Sequence, residues 1–261
     1  MSALAGDDYL AFCEGLREIC GIDLTQYKRP QMERRLRSFF ARKGFERLTD
    51  GLKELRSNGE ELDALLDRVT INVSQLWRNP AQWDQLGHDV LPELGERGRI
   101  RAWSAGCSYG AEAYTLAATC RSAIPATPVR IVGTDIDRRM VVRARTGEFS
   151  LDDARTAPAG ALRRWFEPTD NGWRARPELG AMTRFEVGDL LRMDPGAAAY
   201  DLILCRNTVI YFAQQIRDRL HARLARALRP GGWLVVGATE RVFVPGALGL
   251  EPIHPFMLRK S

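Results

Sequence analysis

Over the first ~95 residues, apolar positions recur every three or four residues, the period of helices with one buried face. Leu10, Cys13, Leu16 and Ile19/Cys20 trace a first helix, which Gly21 is placed to stop. A second follows Pro30, with Met32, Leu36, Phe39 and Phe40 on its buried face and Gly44 at its end. Leu48, Leu52 and Leu55 predict a short third helix closed by Asn58-Gly59, and Leu62, Leu65, Leu66 and Val69 a fourth. The stretch "TINVSQLWRNP" interrupts this pattern, and Asn79-Pro80 starts a helix carrying Trp83, Leu86 and Val90.

From Arg99 the texture changes. "RIRAW", "VRIVGTD", "YDLILC" and "GWLVVGA" are short apolar runs, separated by helical patterns near 111–123, 138–146 and 213–228. Strands alternating with helices predict a mostly parallel sheet covered on both faces. Residues 148–187 break the rhythm and read as an inserted β unit with a turn at Asn171-Gly172. The expected division is a helical domain with linker over 1–78 and an α/β domain over 79–261, the latter interrupted by a β subdomain at 148–187.

Composition narrows the class. A chain of 261 residues with 45% hydrophobic and 27% charged residues reads as an ordinary soluble protein with a full core. No apolar run reaches the ~20 residues of a membrane span, and the N-terminus has no signal-peptide pattern. The five cysteines, odd in number and without a C-x-x-C pair, favour a reducing, cytoplasmic setting. His88, His221 and His254 lie far apart and away from any acidic or cysteine cluster, which argues against a metal site. The net charge of +5 is concentrated: residues 28–47 hold eight Lys/Arg and two Glu, a local +6 against a nearly neutral remainder.

Four features of the α/β region carry chemistry. The turn Ser104–Gly110 uses small residues except for Tyr109, so its backbone N–H groups can approach a ligand at a helix N-terminus. "VRIVGTDID" ends in Asp135, placed as an acid that binds ribose hydroxyls at a strand tip. In "VGDLL", Asp189 can meet an adenine amino group, and "LRPGGWLVVGATE" stops a helix before a late strand. Each alone reads equally well as a cap or a turn; four along one sheet point to a nucleoside. The glycines Gly106 and Gly110 do not form G-x-G-x-x-G, which argues against a pyrophosphate and toward S-adenosylmethionine. A carboxylate such as Glu112 suits that cofactor's cationic groups.

These residues resemble the CheR family of chemotaxis-receptor protein-glutamate O-methyltransferases nearly end to end. Lys28-Arg29 through Arg37 resembles its basic helix, and Thr70-Ile71-Asn72-Val73-Ser74-Gln75-Leu76-Trp77-Arg78 its Thr-x-Asn-x-Thr-x-Phe-Phe-Arg segment. Trp103 through Thr115 resembles its tryptophan, small turn and Gly-Glu-Glu-Pro-Tyr-Ser; Thr134 to Asp137 its Ser/Thr-Asp-Ile-Asp; Cys205 to Phe212 its Cys-Arg-Asn-Val-x-Ile-Tyr-Phe. The resemblance implies a Rossmann-like class I S-adenosylmethionine methyltransferase domain with a small antiparallel β insertion, preceded by an all-α domain. It implies that Asn72, Ser74, Arg78, Glu112, Asp135, Asp189 and Asn207 surround the cofactor, with Ala105, Gly106, Leu190 and Thr208 beside them. Arg78 and Tyr211 would face the reacting centre.

The chain departs from that pattern at Ala111, Ala113, Tyr109, Asp189 and Thr208, and Tyr109 is expected to narrow the pocket. The implied partner is the acidic, Glu-bearing cytoplasmic helical bundle of chemoreceptors. Lys28, Arg34, Arg35, Arg37 and Arg42 on the second helix would dock it. Nucleic acid is disfavoured because Phe39 and Phe40 lie on or beside the core face and form no stacking platform. Rival readings are a sensor that binds cofactor without transfer, and methylation of RNA or a small molecule.

Overall fold

The structure is a computed structural model and describes residues 7–70 and 74–261. It forms two compact units, residues 1–72 with 211–216, and residues 73–210 with 217–261.

The helical unit follows the apolar period, except that Leu10, expected on the buried face of the first helix, is 48% exposed. Helix α1 (Asp8–Cys20) is capped by Asp7, whose side chain accepts from the N–H groups of Tyr9 and Leu10, and it stops at Gly21 with φ +80°. Its buried Tyr9, Phe12, Cys13 and Leu16 share one face. Helix α2 (Arg29–Ala41) carries Pro30 in its first turn and buries Met32, Leu36, Phe39 and Phe40. Helices α3 (Leu52–Ser57) and α4 (Gly59–Thr70) complete the set. A Cβ at Gly51 would run into the Phe40 ring, so the turn before α3 can lie this close only with glycine. The distant segment 211–216 belongs here: Lys28 N–H donates to the Tyr211 carbonyl at 2.9 Å, and Ala213 N–H to Gln26 at 3.0 Å. The rings of Tyr27 and Phe212 meet at 5.0 Å.

In the larger unit, α5 (Pro80–Gln85), a π-turn (Leu86–Val90) and α6 (Leu91–Gly95) lead into β1 (Ile100–Ala105). Then follow α7 (Ala111–Ala123), β2 (Val129–Asp135), α8 (Arg138–Thr146) and β3 (Glu148–Ser150). Next come α9 (Ala159–Trp165), β4 (Phe166–Thr169), β5 (Gly172–Ala175), α10 (Pro177–Gly180) and β6 (Thr183–Val187). The chain ends through β7 (Tyr200–Cys205), α11 (Gln214–Ala227), β8 (Leu228–Val236), β9 (Leu250–His254) and β10 (Met257–Lys260). The main sheet has the order β6-β2-β1-β7-β8-β10-β9, parallel from β6 to β8 and antiparallel at β10 and β9. Strand order reverses between β1 and β7, and ligands of such sheets sit beyond the carboxyl ends of the strands at that point.

A separate sheet, β3-β5-β4, is antiparallel, and its β4–β5 hairpin turns through Asp170 and Asn171. Strand β6 falls within the 148–187 span expected for the insertion, yet it pairs with β2 and belongs to the main sheet. The segment 74–78, expected to be linker of the helical domain, lies in the larger unit. Among the described residues no helix is long and apolar enough to cross a membrane.

One buried group of α11 gives this unit a pH signature. His221 is fully buried, and neither ring nitrogen meets a hydrogen-bond partner. Burial, aided by the Arg217 cation and opposed by Asp218, lowers its pKa to about 4. The unfolded chain therefore binds the His221 proton more readily, so this stability is complete above pH ~6.5 and is lost as pH falls toward 4. Relative to wild type, His221→Leu should gain about 2–3 kcal/mol on going from pH 7 to pH 4.5. Urea midpoints of both proteins at the two pH values measure it; parallel shifts would refute it.

Candidate cofactor site

The turn after β1 is shaped by backbone that only small residues tolerate. Gly106 has φ +83°, Ser108 +49° and Gly110 +87°. The N–H groups of Gly106 and Cys107 donate to the Thr134 carbonyl at 2.8 and 3.0 Å, holding the turn to the end of β2. A Cβ at Gly106 would strike the Thr208 hydroxyl, so glycine lets the loops after β1 and β7 meet.

Asp135 closes β2 and is buried. Its Oδ2 accepts from Ser108 N–H at 2.7 Å and its Oδ1 from Asp137 N–H at 2.9 Å. Burial raises its pKa and outweighs those donors. The carboxylate thus braces the turn, and each oxygen keeps a further acceptor site. Gly188 N–H donates to the Asp135 carbonyl at 2.9 Å, which sets Asp189 beside this strand end. Asp189 accepts from Leu191 N–H at 2.8 Å and meets Arg192 at 3.3 Å, with Leu190 buried next to it.

Glu112 stands in the first turn of α7. Its Oε1 accepts from Ser104 Oγ at 2.7 Å, and its Oε2 lies 3.4 Å from Arg206 Nη1. Arg206 follows β7 with its side chain only 3% exposed. It donates through Nη2 to the Arg78 carbonyl at 2.8 Å and to Gln82 Oε1 at 2.7 Å, and it covers the Trp83 ring at 5.1 Å. Burial raises Glu112 and lowers Arg206, the latter helped by the nearby Arg78 cation. For both partners, loss of water outweighs their mutual attraction, so the pair is poor evidence for stability.

Asn207, at φ +59°, and Thr208 form the turn after β7, where Thr208 Oγ1 lies 3.5 Å from the Ala105 carbonyl. Glu240, beyond β8, holds that turn. Its Oε2 accepts from Asn207 N–H at 2.8 Å and Gly237 N–H at 2.7 Å, and its Oε1 from Val209 N–H at 3.0 Å. Burial raises its pKa against those donors.

The larger unit therefore brings Ser74, Arg78, Ala105, Gly106, Glu112, Asp135, Asp189, Leu190, Asn207 and Thr208 to the loops around one end of its sheet. Asn72 lies outside the described residues. Tyr211 belongs to the helical unit, where Arg35 sits 5.7 Å over its ring. Arg206, Glu240 and Ser104 join the predicted set, and Arg206 and Glu240 share one signal. Each is a charge just past an apolar run that ends a strand, in "LILCRN" and "WLVVGATE".

The docking set divides. Arg37 pairs with Glu33 at 2.6 Å and lies 3.8 Å from Asp8, so its charge is answered within the chain. A helical wheel gives its direction but not the carboxylate that α1 brings to it. Among the described residues no carboxylate pairs with Lys28, Arg34, Arg35 or Arg42. Tyr109, expected to narrow the pocket, directs its hydroxyl to the Ser74 carbonyl and to Asp153, at 2.8 Å from the latter.

Comparison with known proteins decides the family. Residues 72–253 match the SAM-binding domain of CheR methyltransferases, and residues 7–70 match their all-alpha domain. The chain belongs to the CheR methyltransferase family. It is similar to a Listeria innocua chemotaxis protein methyltransferase, 34% identical over 97% of both chains. It is also similar to chemotaxis protein methyltransferase 1 of Pseudomonas aeruginosa, 30% identical over all of this chain and 97% of that one. A probable biofilm formation methyltransferase, WspC of Pseudomonas putida, is 30% identical over 93% of this chain and 58% of its own.

The cofactor of this CheR methyltransferase is S-adenosylmethionine, and the residues present fit it. Ser108 Oγ is buried and meets no partner, a free donor inside the turn. Asp135 and Asp189 keep acceptor capacity for hydroxyl and amino donors. Among the described residues no group of His, Cys, Asp and Glu is arranged to hold a metal.

Proposed function

We propose that this methyltransferase forms methyl esters on glutamate side chains in the cytoplasmic helical bundle of chemoreceptors. The observation that carries it is the union of two matched domains in one chain, a SAM-binding domain and an all-alpha domain with uncompensated cations on α2. When bound, the cofactor supplies an electrophilic methyl group on a sulfonium. A glutamate side chain is already ionised at neutral pH, with a reference pKa of ~4.3, so the protein needs no general base. Its task is to align the carboxylate with the methyl group and exclude water.

In this reading Asp135 receives the ribose hydroxyls, Asp189 the adenine amino group and Glu112 the cofactor's ammonium group. Ser74, Asn72, Asn207 and Thr208, with Ala105, Gly106 and Leu190, complete the cofactor wall. Arg78 presents a fork of donors to a carboxylate, and the Tyr211 hydroxyl orients the substrate oxygen. The test is transfer of a labelled methyl group to a receptor fragment. Base-labile label released as methanol supports the ester; base-stable label, or cofactor binding without transfer, overturns it.

Recognition of the acidic bundle falls to Lys28, Arg34, Arg35 and Arg42. In this reading the small sheet, whose β4–β5 turn has two residues, is not where a receptor tail docks. Arg34 and Arg42 are exposed and touch no aromatic ring, whereas Arg35 also covers Tyr211. Reversing Arg34 and Arg42 to Glu should slow methylation about 10-fold or more at 0.01 M salt, where the Debye length is ~30 Å. At 0.15 M, with a length of ~8 Å, the difference should narrow, and cofactor affinity should be unchanged at both. A salt-independent rate, or a large loss on removing the receptor tail, would transfer docking to the small sheet.

A further inference from the structure

Residues 74–78 form a strap with no regular secondary structure, so its backbone groups need tertiary partners. At its centre Leu76 N–H donates to the Asp153 carbonyl at 2.9 Å, and Thr156 Oγ1 donates to the Leu76 carbonyl at 2.8 Å. Trp77 N–H donates to Thr115 Oγ1 on α7 at 3.1 Å. At its far end the Arg78 carbonyl accepts from Arg206 and from Trp83 Nε1. At the near end Arg155 donates to the Gln75 side chain, and a side chain from the turn after β1 reaches the Ser74 carbonyl. The Tyr109 hydroxyl lies between the Ser74 carbonyl and Asp153 Oδ1, with one proton for two acceptors.

Tyr109 is itself clasped. Arg143 on α8 sits 3.9 Å over its ring and donates to Asp153 Oδ2 at 2.6 Å, while Ser150 N–H donates to the same oxygen at 2.9 Å. Asp153 is therefore fixed by a cation and by backbone before it meets the Tyr109 hydroxyl. A Ser or Thr at this position would carry its hydroxyl one bond from Cβ and could not span the gap that the ring bridges.

We propose that Tyr109, set by Asp153 and Arg143, is a positioning residue for cofactor binding: it latches the Ser74 end of the strap so that the Arg78 carbonyl stays on Arg206, which in turn meets Glu112. The inference rests on the reading that the strap lines the cofactor site. Tyr109→Phe keeps the ring and its Arg143 contact but removes the latch.

The experiment pairs amide hydrogen exchange on the cofactor-free protein with calorimetric S-adenosylmethionine affinity and steady-state kinetics. In Tyr109→Phe, exchange at residues 74–77 should rise roughly 10-fold and Kd roughly 10-fold. KM for the cofactor should follow Kd, with kcat within about 2-fold of wild type. Asp153→Asn should reproduce these shifts, and the double variant should be no worse than either single one. If Tyr109→Phe does not fold, Asp153→Asn and Arg143→Gln carry the same measurements. An unchanged Kd, or a raised Kd without faster exchange in the strap, overturns the proposal. Arg78→Ala, measured alongside, separates the premises. Normal affinity in both variants removes the strap from the cofactor site, whereas loss in Arg78→Ala alone removes the latch.

Discussion

Replacing Arg206 with methionine is expected to destabilise the protein by about 3–5 kcal/mol and to lower methyl transfer by ~10²-fold or more. The change leaves Glu112 buried without its cation, and Gln82 Oε1 and the Arg78 carbonyl lose a shared donor. Urea unfolding and cofactor calorimetry measure the two losses separately. Burial already raises the Glu112 pKa, so the folded variant should bind that proton more tightly still. Falling pH then favours the folded variant, and the stability deficit should shrink in acid. Adding Glu112→Gln should recover much of the stability without recovering affinity, because it removes the orphaned charge but also the acidic group in the site. A deficit below ~1 kcal/mol at neutral pH would mean that Glu112 is hydrated or protonated there, against the burial in the structure.

Arg78→Ala should lower kcat/KM for methyl transfer by ~10²–10³-fold, since a misplaced carboxylate forfeits alignment as well as charge. Arg78→Lys should restore only part, because an ammonium lacks the planar fork. The transfer assay, run with saturating receptor fragment, reads both. Near-normal turnover in Arg78→Ala would reduce this side chain to a brace for its own backbone.

What the sequence allowed to be read depended on the range of the interaction. Helices α1 to α4 were legible because Leu16, Leu36, Leu55 and Leu65 and their neighbours sit at helical spacing between Asp7, Gly21 and Asn58 as caps. Strands β1, β2, β7 and β8 were legible as apolar runs, since strands covered on both faces expose little. Strand β9 was not, because "LEPIH" carries Glu and Pro, as its edge position permits, and neither was β10, because "MLRK" has only two apolar residues before its charges. Strand β6, "TRFEV", has the burial of a half-covered edge strand, which made it resemble the neighbouring hairpin.

In the candidate site, Gly106 and Asp135 were readable as residues at strand ends and Glu112 as a carboxylate at the start of a helix. Arg206 was not, because its partners Gln82 and Glu112 lie 124 and 94 residues away in the chain. Glu240 likewise serves backbone donors 31 and 33 residues upstream. Tyr109 was visible as an unusual bulk in the turn, but its purpose depends on Asp153, 44 residues further on.

The return of residues 211–216 to the helical unit has a consequence for the order of synthesis. Gln26, Tyr27 and Lys28 take further partners from Ala213, Phe212 and Tyr211. At ~5–20 residues per second, the ribosome needs roughly 7–30 s after residue 72 to deliver that segment. Helices α1 to α4 therefore leave the tunnel early but must wait, one seam open, until most of the chain exists. Completion of the first unit to be translated is tied to the near-completion of the second.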